Sequence, residues 1–199
     1  AETQPLRVLA IGNSFSWSVM TYLPRIAAAA GCELQLEQAS HDGCSLARHW
    51  QLAEASEADP ALKTYDRKPY IGAFAPFSLR EKLQSAPWDV VTIQQASHES
   101  WRPESFDPYA EKLIAYIHRY APQAQVVIQQ TWSYKPGEKR LATWELDATT
   151  MYERLTANYV ALAQRFHLAL IPTGFAVQIV RMGAVGTWPG LEMIGPDSY

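Results

Sequence analysis

The stretch RVLAIGNSFSW, Arg7 to Trp17, is an apolar run that breaks abruptly into Gly-Asn-Ser-Phe-Ser. Val8, Leu9, Ala10 and Ile11 show no polar–apolar alternation, the pattern of a strand buried on both faces. Gly12 permits a sharp turn, and a helical pattern follows over residues 17–30. Ser14 therefore falls at a strand-to-helix corner, over the carboxyl edge of a parallel sheet. Open α/β sheets build their sites along that edge.

Outward from this corner, strands and helices alternate. The pattern predicts strands at 7–12, 33–39, 89–95, 125–131 and 168–171, and helices at 17–30, 45–53, 78–84, 108–120 and 148–166. In the last helix Met151, Leu155, Tyr159, Leu162 and Phe166 recur at spacings of three and four, a core-facing stripe. Strands joined by helices of this length imply right-handed crossovers and a doubly wound parallel sheet. The expected fold is α/β, a flavodoxin-like three-layer α/β/α arrangement with a parallel five-stranded sheet of order 2-1-3-4-5. One domain spans residues 1–199. Segments 54–76, 97–107 and 132–147 remain as long loops, which are commonly functional.

The bulk numbers exclude several classes. Of 199 residues, 48% are hydrophobic and 19% charged, with a formal net charge of −3 from 20 acidic and 17 basic side chains. That balance gives no nucleic-acid footprint and no polybasic membrane patch. No apolar stretch approaches the roughly 20 residues needed to span a bilayer. The opening AETQP lacks an initiator Met and leads at once into the first strand, as in an exported chain after signal-peptide removal. The expected location is secreted or periplasmic. Cys32 and Cys44 flank the second strand, which at ~3.3 Å per residue holds them ~20 Å apart, too far for a disulfide. Both are expected to be unpaired and buried.

Three strand ends carry polar residues on one rim: Gly12-Asn13-Ser14-Phe15-Ser16, Ser40-His41-Asp42-Gly43-Cys44-Ser45, and Gln94-Gln95-Ala96-Ser97-His98-Glu99. A serine hydroxyl is a poor nucleophile unaided. It needs a base, and donors for the oxyanion it creates. Ser14 at a helix N-terminus offers its own N–H, the turn at Gly43 a second, and a glutamine amide from the third strand a third.

GNSFS resembles the GDSxS nucleophile block of the SGNH (GDSL-like) hydrolases, and DGCSL resembles their second block, whose Gly donates to the oxyanion hole. WDVVTIQQASHES stands where their third block supplies an amide side chain, and GPDSY, Gly195 to Tyr199, looks like the start of their final Asp-x-x-His. The resemblance covers nearly the whole chain in order and spacing. Asn13 stands where the family usually has Asp, at a turn-supporting position. A Gln in the third block resembles the sialate O-acetylesterase-like branch and bacterial carbohydrate esterases with GNSFS.

The resemblance implies a secreted serine esterase acting on a carbohydrate ester, with acetyl groups the expected cargo and no cofactor. Ser14 is the nucleophile, and Ser14, Gly43 and Gln95 or Gln94 form the oxyanion hole. Asp197 orients a histidine. That histidine would follow Tyr199, so the chain looks truncated there and, as it stands, a poor catalyst. His98 is the internal substitute. Asn13, His98, Trp17 and Trp101 are expected to line the substrate site, since sugar rings stack on aromatic faces. His41, Asp42 and His49 match no tight metal-ligand spacing, so no metal is expected.

Two other functions compete. A non-catalytic carbohydrate-binding relative would keep the crevice without the base. A flavodoxin-like phosphate or nucleotide binder would hold an anion at the helix start, but no Gly-rich phosphate motif accompanies the turn. Taken singly, Ser14 is also a good helix cap, and Gly43 a good turn residue.

Overall fold

β1 (Leu6–Gly12) pairs in parallel with β2 (Leu34–Ser40) on one side and β3 (Val90–Ile93) on the other. β4 (Gln125–Gln129) and β5 (Ala169–Ile171) extend the sheet, giving five parallel strands in the order 2-1-3-4-5. The computed structural model describes residues 4–66 and 75–183. Along the chain the helices are α1 (Ser14–Ala29), α2 (Leu46–Ala58), α3 (Leu79–Gln84), α4 (Ser97–Ser100), α5 (Tyr109–Tyr120), α6 (Lys139–Thr143), α7 (Ala148–Phe166) and α8 (Thr173–Arg181). A 3-10 turn occupies Pro103–Ser105.

The unbroken apolar run of β1 is buried on both faces, as its composition requires. Leu9 and Ile11, with Val91, Ile93, Val126 and Ile128, join one large apolar cluster. Leu113 and Ile117 of α5 and Met151, Leu155 and Tyr159 of α7 complete it. Strand side chains alternate between faces, so Val8, Ala10 and Val127 are buried on the opposite face. Burying each large aliphatic side chain contributes roughly 1.5–3 kcal/mol. The sheet's position is thereby set, and its carboxyl edge is left to the loops.

Several boundaries differ from the sequence expectation. α1 starts at Ser14 rather than at residue 17, because the Asn13 side chain accepts from the Phe15 N–H and caps it. β3 ends at Ile93, so Gln94 and Gln95 lie beyond the strand. Segment 97–107 folds into α4 and the 3-10 turn, and segment 132–147 holds α6. Short helices of this kind carry too few turns for a periodic signal. Cys32 and Cys44 are both free, as expected, but Cys32 is exposed; only Cys44 is buried. Cys32 follows the C-cap of α1 and precedes β2, outside the packed layers.

Candidate active site

One buried side chain ties together all three strand ends. Asn13 Nδ2 donates to the Cys44 carbonyl at 3.0 Å, in the bend after β2. Asn13 Oδ1 accepts from the Phe15 N–H at 3.0 Å, in its own bend, and from Gln94 Nε2 at 2.5 Å, in the bend after β3. Asn13 is 2% exposed. Bends separated by tens of residues are thus held at hydrogen-bond distance. An Asp here would have no proton for the Cys44 carbonyl, which accounts physically for Asn in GNSFS.

The two serines of GNSFS take different parts. Ser16 is fully buried, and its hydroxyl donates back to the Asn13 carbonyl at 2.9 Å, bracing the helix start. Ser14 is half-buried and lines a cavity of about 390 Å³ together with Asn13, Phe15 and Gly43. The turn is tight: a Cβ on Gly12 would lie 2.6 Å from Ser16 Oγ, so no larger residue fits.

A buried histidine braces the same turn from the α2 side. His49 Nε2 lies 3.0 Å from the Gly12 carbonyl and Nδ1 lies 2.8 Å from the Tyr65 hydroxyl. A carbonyl only accepts, so Nε2 carries the proton and Nδ1 accepts from Tyr65. Burial pushes the His49 pKa down to about 3, and the imidazole is neutral. The sequence offered one signal for this residue: Leu46, His49, Leu52, Ala53 and Ser56 form the buried stripe of α2.

The rest of the cavity is built from the other bends. Gly43 has φ +60°, a left-handed conformation that glycine adopts freely. A Cβ there would touch only His98 Cε1, at 3.9 Å, so the His98 ring stands beside the Gly43 turn. Among the described residues neither the Ser14 N–H nor the Gly43 N–H enters a backbone hydrogen bond. First-turn N–H groups of a helix are left open in this way. His98 pKa is lowered, first by burial and then by the nearby Arg140 and Arg102 charges, against the opposing pull of Glu99. Burial pushes the Cys44 thiol up to about 12, so the cysteine nearest the site is no nucleophile.

The two glutamines sit elsewhere than expected. Gln95 donates from Nε2 to the Ser105 carbonyl and hydroxyl at 2.9 and 3.1 Å, and its Oε1 accepts from the Leu46 and Ala96 N–H groups. Its amide is spent on knitting α2, the β3 bend and the 3-10 turn together. Gln94 turns to Asn13. Neither lines the cavity; the strand stops short of them, and the chain carries His98 there instead.

The aromatic expectation is also redistributed. Trp17 lies on the half-buried side of α1 and does not line the cavity. Trp101 lies behind the wall, its ring 5.7 Å from that of Trp144. Trp144 itself lines the cavity, with Tyr134 and Arg140, all from the segment after β4. Sequence reasoning missed these three, because only the folding of that long loop brings it over Ser14. Asp197 lies outside the described residues. Among the described residues no cluster of three or more His, Cys, Asp or Glu could hold a metal ion, and no helix is long and apolar enough to cross a membrane.

A five-stranded parallel sheet of order 2-1-3-4-5, flanked by helices and carrying a serine at the first bend, is the α/β fold of the SGNH hydrolases. The model of the family described as a domain of unknown function, DUF4886, matches residues 7–190, and the chain belongs to that family. A DUF4886 family protein from Bacteroides uniformis is 26% identical with a TM-score of 0.77, over 92% of this chain and 73% of that one. A protein from Slackia heliotrinireducens, provisionally assigned to the SGNH hydrolases, is 20% identical with a TM-score of 0.58, over 84% and 78%. An acetyl xylan esterase is 11% identical with a TM-score of 0.56, over 89% and 83%. The last two likenesses are likenesses of fold. No curated protein matches the chain.

Proposed function

We propose that this protein is a serine esterase of the SGNH type, with Ser14 as nucleophile. The observation that carries the reading is the shared cavity. Ser14, the Gly43 turn and His98 line one space of about 390 Å³ over the sheet edge. In that space Ser14 Oγ bonds to the ester carbonyl carbon as its proton passes to a histidine base. The Ser14 and Gly43 N–H groups and the neutral His98 ring donate to the carbonyl oxygen as it gains charge. The carbon–oxygen bond to the alcohol then breaks, and the alcohol leaves with the proton. Water repeats the sequence on the acyl-serine, returning Ser14 and releasing the acid.

His98 takes the donor place that the glutamines leave. The base in this reading is a histidine oriented by Asp197, as the resemblance of GPDSY to the Asp-x-x-His block implies. The substrate class is an O-acylated carbohydrate, with acetyl as the acyl group. Two points support it: the half-buried Trp144 lines the same cavity as Ser14, and the fold is shared with an acetyl xylan esterase. The second point is an analogy of fold.

The test is ester hydrolysis by the native-length protein and its Ser14→Ala form. Loss of turnover with retained folding is the expected result. Equal rates in the two would end the serine-nucleophile reading.

A further inference from the structure

The two carbonyls that precede the Ser14 N–H are each held by a buried side chain. The Gly12 carbonyl lies 3.0 Å from His49 Nε2. The Asn13 carbonyl accepts from Ser16 Oγ at 2.9 Å and from the Trp17 N–H at 3.1 Å. His49 and Ser16 are both fully buried. The proton on Nε2 is fixed from behind, because Tyr65 donates to Nδ1 at 2.8 Å and leaves Nε2 as the donor. Tyr65 is itself anchored: its ring stacks on Phe77 at 5.2 Å, and the two backbones exchange hydrogen bonds at 3.0 and 3.2 Å. Gly12 leaves the room that the Ser16 hydroxyl occupies, since a Cβ there would lie 2.6 Å from it.

In a trans peptide the C=O and the next residue's N–H share a plane and point opposite ways. Holding the Asn13 carbonyl therefore holds the Ser14 N–H, and holding the Gly12 carbonyl holds the plane before it. Between the two planes only φ and ψ of Asn13 can turn, and they stand at −144° and −159°. We propose that His49 and Ser16 are positioning residues that together aim the Ser14 N–H at the developing oxyanion, with Tyr65 selecting the His49 tautomer that does so. The second serine of GNSFS and the buried histidine of α2 thus serve the reaction without touching substrate. This inference rests on the esterase reading for its kinetic test but not for its spectroscopic one.

The kinetic test follows p-nitrophenyl acetate hydrolysis by the native-length wild type, Ser16→Ala, His49→Leu and His49→Gln. A fluorophosphonate titrates the active sites of each, so that kcat refers to competent enzyme alone. Removing an oxyanion donor outright costs about 10²–10³ in kcat, and a donor kept but misaimed costs less. A fall of about tenfold in kcat per site, at unchanged KM, is therefore expected for Ser16→Ala and for His49→Leu. His49→Gln, which keeps an N–H for the Gly12 carbonyl, should regain most of the loss. A merely structural contact would lower the unfolding midpoint and leave kcat per site alone. Ser14-dependent hydrolysis with wild-type kcat per site in Ser16→Ala or in His49→Leu overturns the paired clamp and leaves the esterase reading standing.

The spectroscopic test needs no turnover and no His49→Leu protein. Long-range ¹H–¹⁵N spectra of the wild type should show His49 protonated on Nε2 at neutral pH. Residual dipolar couplings report the direction of each backbone N–H, and that of Ser14 should change in Ser16→Ala and in His49→Gln/Ser16→Ala while those of β1 and α5 stay put. His49 protonated on Nδ1, or a Ser14 coupling unchanged in both variants, overturns the proposal whatever the catalytic result.

Discussion

Asn13 Nδ2 and the Cys44 carbonyl lie 3.0 Å apart, joining the bend that bears Ser14 to the bend that bears Gly43. With Gln94 on the other lobe of the same amide, this one side chain sets the spacing of the hydroxyl and its prospective oxyanion donors. Asn13→Asp replaces the donor with an acceptor facing a buried carbonyl. A stability loss of about 1–3 kcal/mol is expected at neutral pH. The introduced carboxyl would be held above its usual pKa, so the variant's deficit relative to wild type should be smallest in acid and widen as pH rises through that value. Denaturant unfolding of both proteins between pH 4 and 8 measures it.

His49 gives wild type the opposite slope. Its pKa is about 3 in the folded protein against 6.5 for an ordinary histidine. Between those values the unfolded chain binds the extra proton, so stability is full above about pH 6.5 and falls as pH drops towards 3. At ~1.4 kcal/mol per pH unit the loss reaches roughly 5 kcal/mol at the acid end. His49→Gln, which keeps an N–H for the Gly12 carbonyl, should lose this component. Urea midpoints at pH 7 and pH 4 for both proteins test the difference; equal slopes would contradict a neutral buried imidazole.

Gly43→Ala probes the second bend without a clash, since the added methyl meets only His98 Cε1 at 3.9 Å. The cost arises from φ +60°, about 1–2 kcal/mol for a residue with a Cβ. Relief of that strain turns the Gly43 N–H away from the cavity. The expected kinetic signature is a fall in kcat of about 10²–10³, with KM little changed.

His98→Ala separates an oxyanion donor from a base. As a donor, His98 contributes about 10²–10³ in kcat, and the acid limb of the pH–rate profile, which belongs to the base, survives its removal. Disappearance of that limb in His98→Ala would instead make His98 the base.

The sheet and its order were legible because parallel strands buried on both faces read as plain apolar runs, and Val8 to Ile11 is one. The first bend was legible too, since Gly12 breaks the run, but the helix starts three residues earlier than its apolar pattern indicates, with Asn13 rather than Ser14 as its cap. The third bend was not. Gln94 and Gln95 continue the strand register in sequence, yet hydrogen bonds to Asn13, Leu46, Ala96 and Ser105 draw both amides into the scaffold. No local pattern announces partners so far away along the chain. Arg140 and Trp144 were hidden for a related reason: α6 is one short turn within a long connection, and only its docking over the sheet edge brings it to Ser14. His49 left a trace, an imidazole on a buried helical stripe, but its partners Gly12 and Tyr65 emerge only in three dimensions.

Covalent labelling of the native-length protein with a fluorophosphonate, followed by peptide mass mapping, addresses the nucleophile most directly. The account predicts one adduct, on Ser14, absent from Ser14→Ala and never on the buried Ser16. Labelling of Ser14→Ala to the same extent as wild type, or an adduct on another residue alone, would contradict it.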